Sequence, residues 1–146
     1  MPGYHARTTI ARPLSAVFQY LSDLAAWPHW MPVQSMTLLD PGAARIGMRA
    51  SGEMAEGSRH APFSVEIIEF EPDKRIAFRT LSGPVDWDGS WEVRAIDART
   101  TEVRSVGSMR LRGVRRILEP LMGGEVQRNE EAELAKLRQV LEAAAT

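Results

Sequence analysis

The chain has 146 residues, a length that suits one domain built around a single hydrophobic core. Its 18 basic and 19 acidic residues give a formal net charge of -1, so bulk electrostatics attract it neither to nucleic acid nor to an anionic membrane. The absence of cysteine excludes disulfides, thiolate nucleophiles and cysteine-bound metals. We therefore expect one domain over residues 1–146 and no nucleic-acid partner.

The N-terminus lacks the features of a targeting segment. MPGYHARTTI has no apolar stretch of the kind that a secretory signal requires. No apolar run approaches the length of about 20 residues that a membrane-spanning helix needs. Because cysteine is also absent, a reducing compartment is the default. We expect a soluble, cytoplasmic protein without membrane insertion.

The first elements are predicted to be a strand and two short helices. Residues 5–12 alternate weakly in polarity and predict an edge strand that Pro13 ends. Proline at a helix start and apolar side chains at helical spacing then predict an amphipathic helix. These apolar side chains are Leu14, Val17, Phe18 and Leu21. Residues 24–30, LAAWPHW, predict a second short helix or turn, interrupted by Pro28.

The rest of the chain is predicted to be strands followed by one long helix. Turn signals rich in glycine, proline and aspartate separate six strand-like runs, which indicates an antiparallel meander. The runs are residues 33–40, 46–54, 63–71, 76–81, 85–96 and 102–112. Residues 113–144 predict a long helix with apolar side chains on or near one face. These side chains are Ile117, Leu121, Val126, Leu134, Leu137 and Leu141.

The order of these elements is an α+β arrangement in which the sheet covers one face of the final helix. This order, with the phrases LSDLAAWPHWMP, FEPDKRIAFRTLSG and ELAKLRQVLEA, resembles the START-like (helix-grip, SRPBCC) superfamily, specifically its polyketide cyclase/dehydrase and lipid transport branch. The resemblance covers nearly the whole chain. It implies a helix-grip fold, in which a curved antiparallel sheet of about seven strands surrounds the C-terminal helix and leaves a cavity, without implying a particular reaction.

Side-chain alternation predicts an apolar inner face for the sheet. Even positions in residues 48–54 and odd positions in residues 87–95 and 103–111 are mostly apolar or glycine. The opposite face carries charged side chains, including Asp86, Asp88, Glu92 and Glu102. In residues 63–70 the apolar side chains change phase after Ile67, which predicts a β-bulge.

The predicted inner face also contains three glycines, Gly52, Gly89 and Gly107, which indicate curvature or free space. Methionine and tryptophan around such gaps make adaptable apolar walls. Together with the resemblance, these residues predict a cavity for a small hydrophobic molecule: a lipid, polyketide, isoprenoid or aromatic metabolite. The predicted wall residues are Trp27, Trp30, Met48, Met54, Phe78, Trp87, Trp91, Met109 and Met122. A filled core made of the same side chains is the alternative that the pattern leaves open.

The sequence has no catalytic signature, and we predict no catalytic residue. The predicted outward direction of the acidic side chains in the sheet counts against general acid–base chemistry. The remaining polar candidates are His29, His60, Arg79, Asn129 and Glu130. The three histidines lie too far apart for metal-ligand spacing, so we predict neither a metal nor another cofactor.

Two other functions stay open. A polyketide aromatase/cyclase or dehydratase would act in the same cavity and would gain much of its rate from positioning a reactive chain. A protein-interaction module would use the exposed sheet face or the arginine cluster of residues 110–116, RLRGVRR, although a solvated strand–helix junction also explains that cluster. The sequence predicts neither the identity of the ligand nor an oligomeric state.

Overall fold

The computed structural model describes residues 3–56, 59–111 and 123–144. The strands are β1 Gly3–Ile10, β2 Val33–Leu38, β3 Arg49–Glu56, β4 Arg59–Glu71, β5 Arg75–Ser82, β6 Val85–Asp97 and β7 Thr100–Leu111. The helices are α1 Leu14–Ser22, a 3₁₀ helix Leu24–His29 and α2 Gly123–Ala143. The predicted order of elements is confirmed, while residues 113–122 of the predicted long helix lie outside the described residues.

The seven strands form one antiparallel sheet in the order β1-β7-β6-β5-β4-β3-β2. Strands β2 to β7 are therefore the predicted meander, and β1 pairs with the last strand. Since β1 and β2 lie at opposite edges, the connection that contains α1 and the 3₁₀ helix spans the width of the sheet. Its apolar side chains Val17, Phe18 and Leu21 are buried in the core.

Helix α2 covers β1 and closes its free edge. The side-chain amide of Gln127 accepts a hydrogen bond from the His5 backbone N–H at 3.0 Å and donates one to the His5 carbonyl at 2.8 Å. The Glu142 carboxylate accepts another from the Ala11 N–H at 2.8 Å. Helix side chains thus satisfy polar groups of an edge strand that would otherwise be open to a further strand.

An aromatic cluster joins the 3₁₀ helix to the inner face of the sheet. The ring of Trp27 lies edge-on to Phe78, Trp87 and Trp91, with centroid separations of 4.9, 5.7 and 5.9 Å. Trp30 packs on Trp91 at 5.1 Å. Edge-to-face contacts at these distances add to the apolar area that the rings bury. The cluster fixes where residues 24–30 sit against the sheet.

The predicted bulge and the predicted outer face are confirmed with one correction. The register of β4 against β5 shifts between Ile67 and Glu69, as the change of phase indicates. Asp86, Asp88 and Glu92 are exposed on the outer face. Glu102 shares that face but is only 9% exposed, because the guanidinium groups of two neighbours cover its carboxylate. These neighbours are Arg94 and Arg104.

The inner-face glycines make room for neighbouring side chains. A Cβ atom on Gly107 would lie 2.5 Å from the Asp88 carbonyl oxygen and 2.6 Å from the Tyr4 ring, and one on Gly89 would lie 2.7 Å from the Tyr4 hydroxyl. On β3, a Cβ atom on Gly52 would lie 2.7 Å from the Met36 sulfur. Of the two expectations for these glycines, curvature or free space, free space is wrong, because atoms of other residues already occupy it.

We expect Gly107→Ala to lower the free energy of unfolding by about 2 kcal/mol, because the added methyl group forces the Tyr4 ring or the backbone to move. Gly3→Ala is the matched control, since its Cβ atom would make an ordinary 3.5 Å contact. Urea unfolding of both variants measures the difference. Equal stability of the two variants would contradict the close packing of Tyr4 over β7.

Candidate functional site

A cavity of about 370 Å³ lies between the inner face of the sheet and α2. Strands β2 to β7, the segment around the 3₁₀ helix and α2 all contribute to its wall. Apolar wall side chains include Trp27, Met54, Val85, Trp87, Met109 and Val126. The polar ones are Thr80, Asn129, Glu130 and Glu133. This volume falls within the roughly 300–1,000 Å³ of typical small-molecule sites.

The structure places eight of the nine predicted wall residues in three different surroundings, and the ninth lies outside the described residues. The residues at the cavity wall are Trp27, Met54, Trp87 and Met109. Trp30, Phe78 and Trp91 pack behind the wall in the aromatic cluster. Met48 lies beside a different depression, next to α1. Met122 lies outside the described residues. Part of the predicted set thus forms a filled core, and part borders free volume.

The polar candidates from the sequence also divide. Three of them, His29, His60 and Arg79, are exposed and are not part of the described cavity wall. Arg79 points outward, as its alternation with apolar neighbours indicates, and its guanidinium lies 3.2 Å from the Glu66 carboxylate. Asn129 and Glu130 reach the cavity from α2. The protein-interaction alternative would use the outer face of the sheet, where charged side chains such as Arg79 and Glu66 already pair with each other.

The arginine cluster predicted at the strand–helix junction is only partly described. Arg110 is exposed on β7, while residues 112–116 lie outside the described residues. Elsewhere on the outer face, Arg75 contacts the carboxylates of both Glu69 and Glu92. Exposed pairs of this kind contribute little to stability, which fits a solvated sheet face.

Two carboxyl groups from α2 meet at the cavity wall. Glu130 is 5% exposed and accepts a hydrogen bond from the Ser105 hydroxyl on β7. Glu133, one helical turn further along, is hydrogen-bonded to Glu130. Burial, and the negative charge of Glu130, raise the pKa of Glu133 to about 9. At neutral pH Glu133 is therefore protonated and donates its proton to the Glu130 carboxylate.

A chain of hydrogen bonds connects this acid pair to the sheet. The Trp87 indole N–H donates to the Tyr4 hydroxyl at 2.7 Å, and this hydroxyl also interacts with Ser105. Burial and the charge of Glu130 raise the pKa of Tyr4 above its usual value, so its side chain stays a neutral phenol. The chain links β6, β1, β7 and α2, and it holds the acid pair in a fixed place.

Sequence reasoning missed Glu133 and placed the acidic side chains of the sheet outside. That placement holds for β6 and β7, but α2 brings two further acids to the cavity. The sequence does contain a signal for Glu130. The buried side chains Val126, Glu130 and Leu134 follow one another at a spacing of four, so Glu130 occupies a position in the apolar stripe of the helix. An acid in such a stripe indicates a polar partner within the core.

Two absences hold for the described part of the chain. No group of three or more histidine, aspartate or glutamate side chains is arranged to hold a metal ion. Neither α helix combines the length and the apolar character that a membrane-spanning segment requires.

A family model for polyketide cyclase/dehydrase and lipid transport proteins matches residues 1–142. The chain belongs to this family. No curated protein matches its sequence. Known structures share the fold at low identity, and the predicted helix-grip fold is confirmed.

Three of these structures illustrate the similarity. The protein TTHA0849 from Thermus thermophilus is 20% identical, with a TM-score of 0.81 over 99% of this chain and 100% of that one. The Zhui aromatase/cyclase from Streptomyces sp. R1128 is 18% identical, with a TM-score of 0.79 over 99% and 95%. A START superfamily protein from Mycobacterium smegmatis is 14% identical, with a TM-score of 0.73 over 97% and 95%.

The raised pKa of Glu133 predicts a specific pH dependence of stability. Between its ordinary value of 4.5 and about 9, the folded state holds a proton that the unfolded state has lost. The free energy of unfolding therefore falls as pH rises through this window, by at most about 1.4 kcal/mol per pH unit for one proton. Urea unfolding between pH 5 and pH 9 should show this slope, and Glu133→Gln should remove it. An unchanged slope in the variant would contradict the assignment.

Proposed function

We propose that the protein binds a small, mainly apolar molecule in the cavity between the sheet and α2. The cavity volume of about 370 Å³ and the mainly apolar wall carry this proposal. The description of the family includes lipid transport, and one similar structure is an aromatase/cyclase, so both names support an apolar guest. The wall side chains proposed to contact the guest are Trp27, Met54, Trp87 and Met109.

The size of the hydrophobic effect is sufficient for useful affinity. A guest that buries about 300 Å² of apolar surface gains about 7 kcal/mol at roughly 25 cal/mol per Å². Micromolar binding results if little of this gain is lost in ordering the guest and the wall. The aromatic cluster keeps part of the wall in place before binding, which reduces that loss.

Filling the cavity should weaken binding. We expect Val85→Trp to weaken the binding of decanol, a neutral apolar probe, by at least about tenfold, because the indole occupies space that the guest needs. Val106→Trp adds the same side chain on the outer face of the sheet, where Val106 is 47% exposed, and should leave affinity within about twofold. Isothermal titration calorimetry measures both. Equal affinities would place the guest elsewhere, and no binding to the folded wild-type protein would overturn the proposal.

The acid pair favours a second candidate function, that of a dehydratase or cyclase. Glu133 carries a proton and Glu130 accepts one, so the cavity wall holds an acid beside a base. In the dehydration of a β-hydroxy ketone, Glu133 gives its proton to the leaving hydroxyl while Glu130 takes the proton of the α-carbon. Water and a conjugated enone form, and the proton returns from Glu130 to Glu133 through their hydrogen bond.

This candidate predicts a measurable reaction. With 4-hydroxy-4-phenylbutan-2-one as the substrate, enone absorbance should grow faster with wild-type protein than with Glu133→Gln, by at least about 100-fold for a lost general acid. Glu125→Gln removes a carboxylate from the exposed face of the same helix and should leave the rate unchanged. Equal rates for wild type and Glu133→Gln would contradict the catalytic role while leaving the binding function intact.

A further inference from the structure

The charges at the cavity wall have a single sign. Among the described residues, the ionisable side chains of the wall are the two acids Glu130 and Glu133, and no lysine, arginine or histidine is part of it. Within the same described ranges, no cation forms a salt bridge to either acid. Among the described residues, the partners of the two acids are a hydroxyl, Ser105, and each other. Within these residues, a negative charge is thus held beside an apolar volume by neutral donors.

Burying such a charge is costly, because the ion loses its hydration and, among the residues that the structure describes, gains no opposite charge in return. Within the pair, burial and the charge of Glu130 raise the pKa of Glu133, so Glu133 stays protonated and Glu130 is the source of the negative charge. The other described polar groups close to the pair do not supply a positive charge. Tyr4 is a neutral phenol, and the Trp87 N–H is already used by Tyr4.

We propose that the cavity selects its ligand by charge, preferring an apolar molecule whose polar end is a protonated amine set against Glu130 and Glu133. This inference rests on the proposed binding function and gives it a ligand class. An ammonium group carries three donors and no acceptor. Helix α2 offers acceptors that match it, in the two carboxyl groups and the side-chain carbonyl of Asn129 on the same cavity wall.

The same charge acts against anionic ligands. A carboxylate at this wall would face Glu130 across an apolar volume, where repulsion is screened far less than in water. An alcohol of the same length experiences neither the attraction nor the repulsion, and it reports the contribution of the apolar tail alone. Three molecules with one tail therefore separate the effect of charge from the effect of size.

The experiment compares decylamine, decanol and decanoate by isothermal titration calorimetry at pH 7, where the amine is protonated and the acid is ionised. We expect decylamine to bind at least about tenfold more tightly than decanol, and decanoate at least about tenfold more weakly than decanol. In the variant Glu130→Gln/Glu133→Gln, the three affinities should converge to within about threefold. Glu125→Gln, which removes an exposed charge from the same helix, should keep the wild-type order.

Each outcome has a distinct meaning. Equal affinity of the wild-type protein for decylamine and decanol, or tighter binding of decanoate, overturns the inference and leaves apolar binding standing. Failure of all three ligands to bind overturns the proposed function itself. An amine preference that survives in the double variant also overturns the inference, because another group then supplies the charge. If the double variant does not fold, the single variant Glu130→Gln is tested in its place, and it should lose most of the preference.

Discussion

The packing of Trp27 against three aromatic rings of the sheet is the contact on which the cavity depends. It holds the 3₁₀ helix over β5 and β6, so the segment that follows closes one side of the space that α2 covers from above. The same indole belongs both to the core and to the cavity wall. The two nearby tryptophans differ in role. Trp30 packs in the aromatic cluster against Trp91, whereas Trp27 also borders the cavity.

The acid pair runs against the rule that buried positions are apolar. Replacing Glu130 by leucine would suit the helix stripe better, and the hydrogen bonds from Ser105 and Glu133 offset only part of the cost of burying a charge. Strained or polar features of this kind concentrate at functional sites, where they do chemistry or select a ligand. The pair supplies the ionisable groups of a described cavity wall that is otherwise mainly apolar.

Short-range patterns were sufficient to predict the order of elements and the antiparallel meander, and for a physical reason. Period-two alternation records which face of a strand is buried, and turn residues record where the chain reverses, so both can be read within a few positions. The phase change after Ile67 predicted the bulge for the same reason. Free space beside Gly107 was a wrong expectation because Tyr4, whose ring occupies that space, is far from Gly107 in the sequence.

The sequence by itself determined the order of elements, the antiparallel meander, the apolar inner face and the family, since each depends on local alternation or on motifs along the chain. Only the tertiary structure decided which wall residues border free volume and which are packed, and which acids face inward. Those properties depend on how α2 is rotated and where the 3₁₀ helix docks, and the interactions responsible join side chains far apart in sequence. The sequence alone does not distinguish Glu133 from a solvated helix residue, because its partner Glu130 is itself held in place by Ser105 from a distant strand.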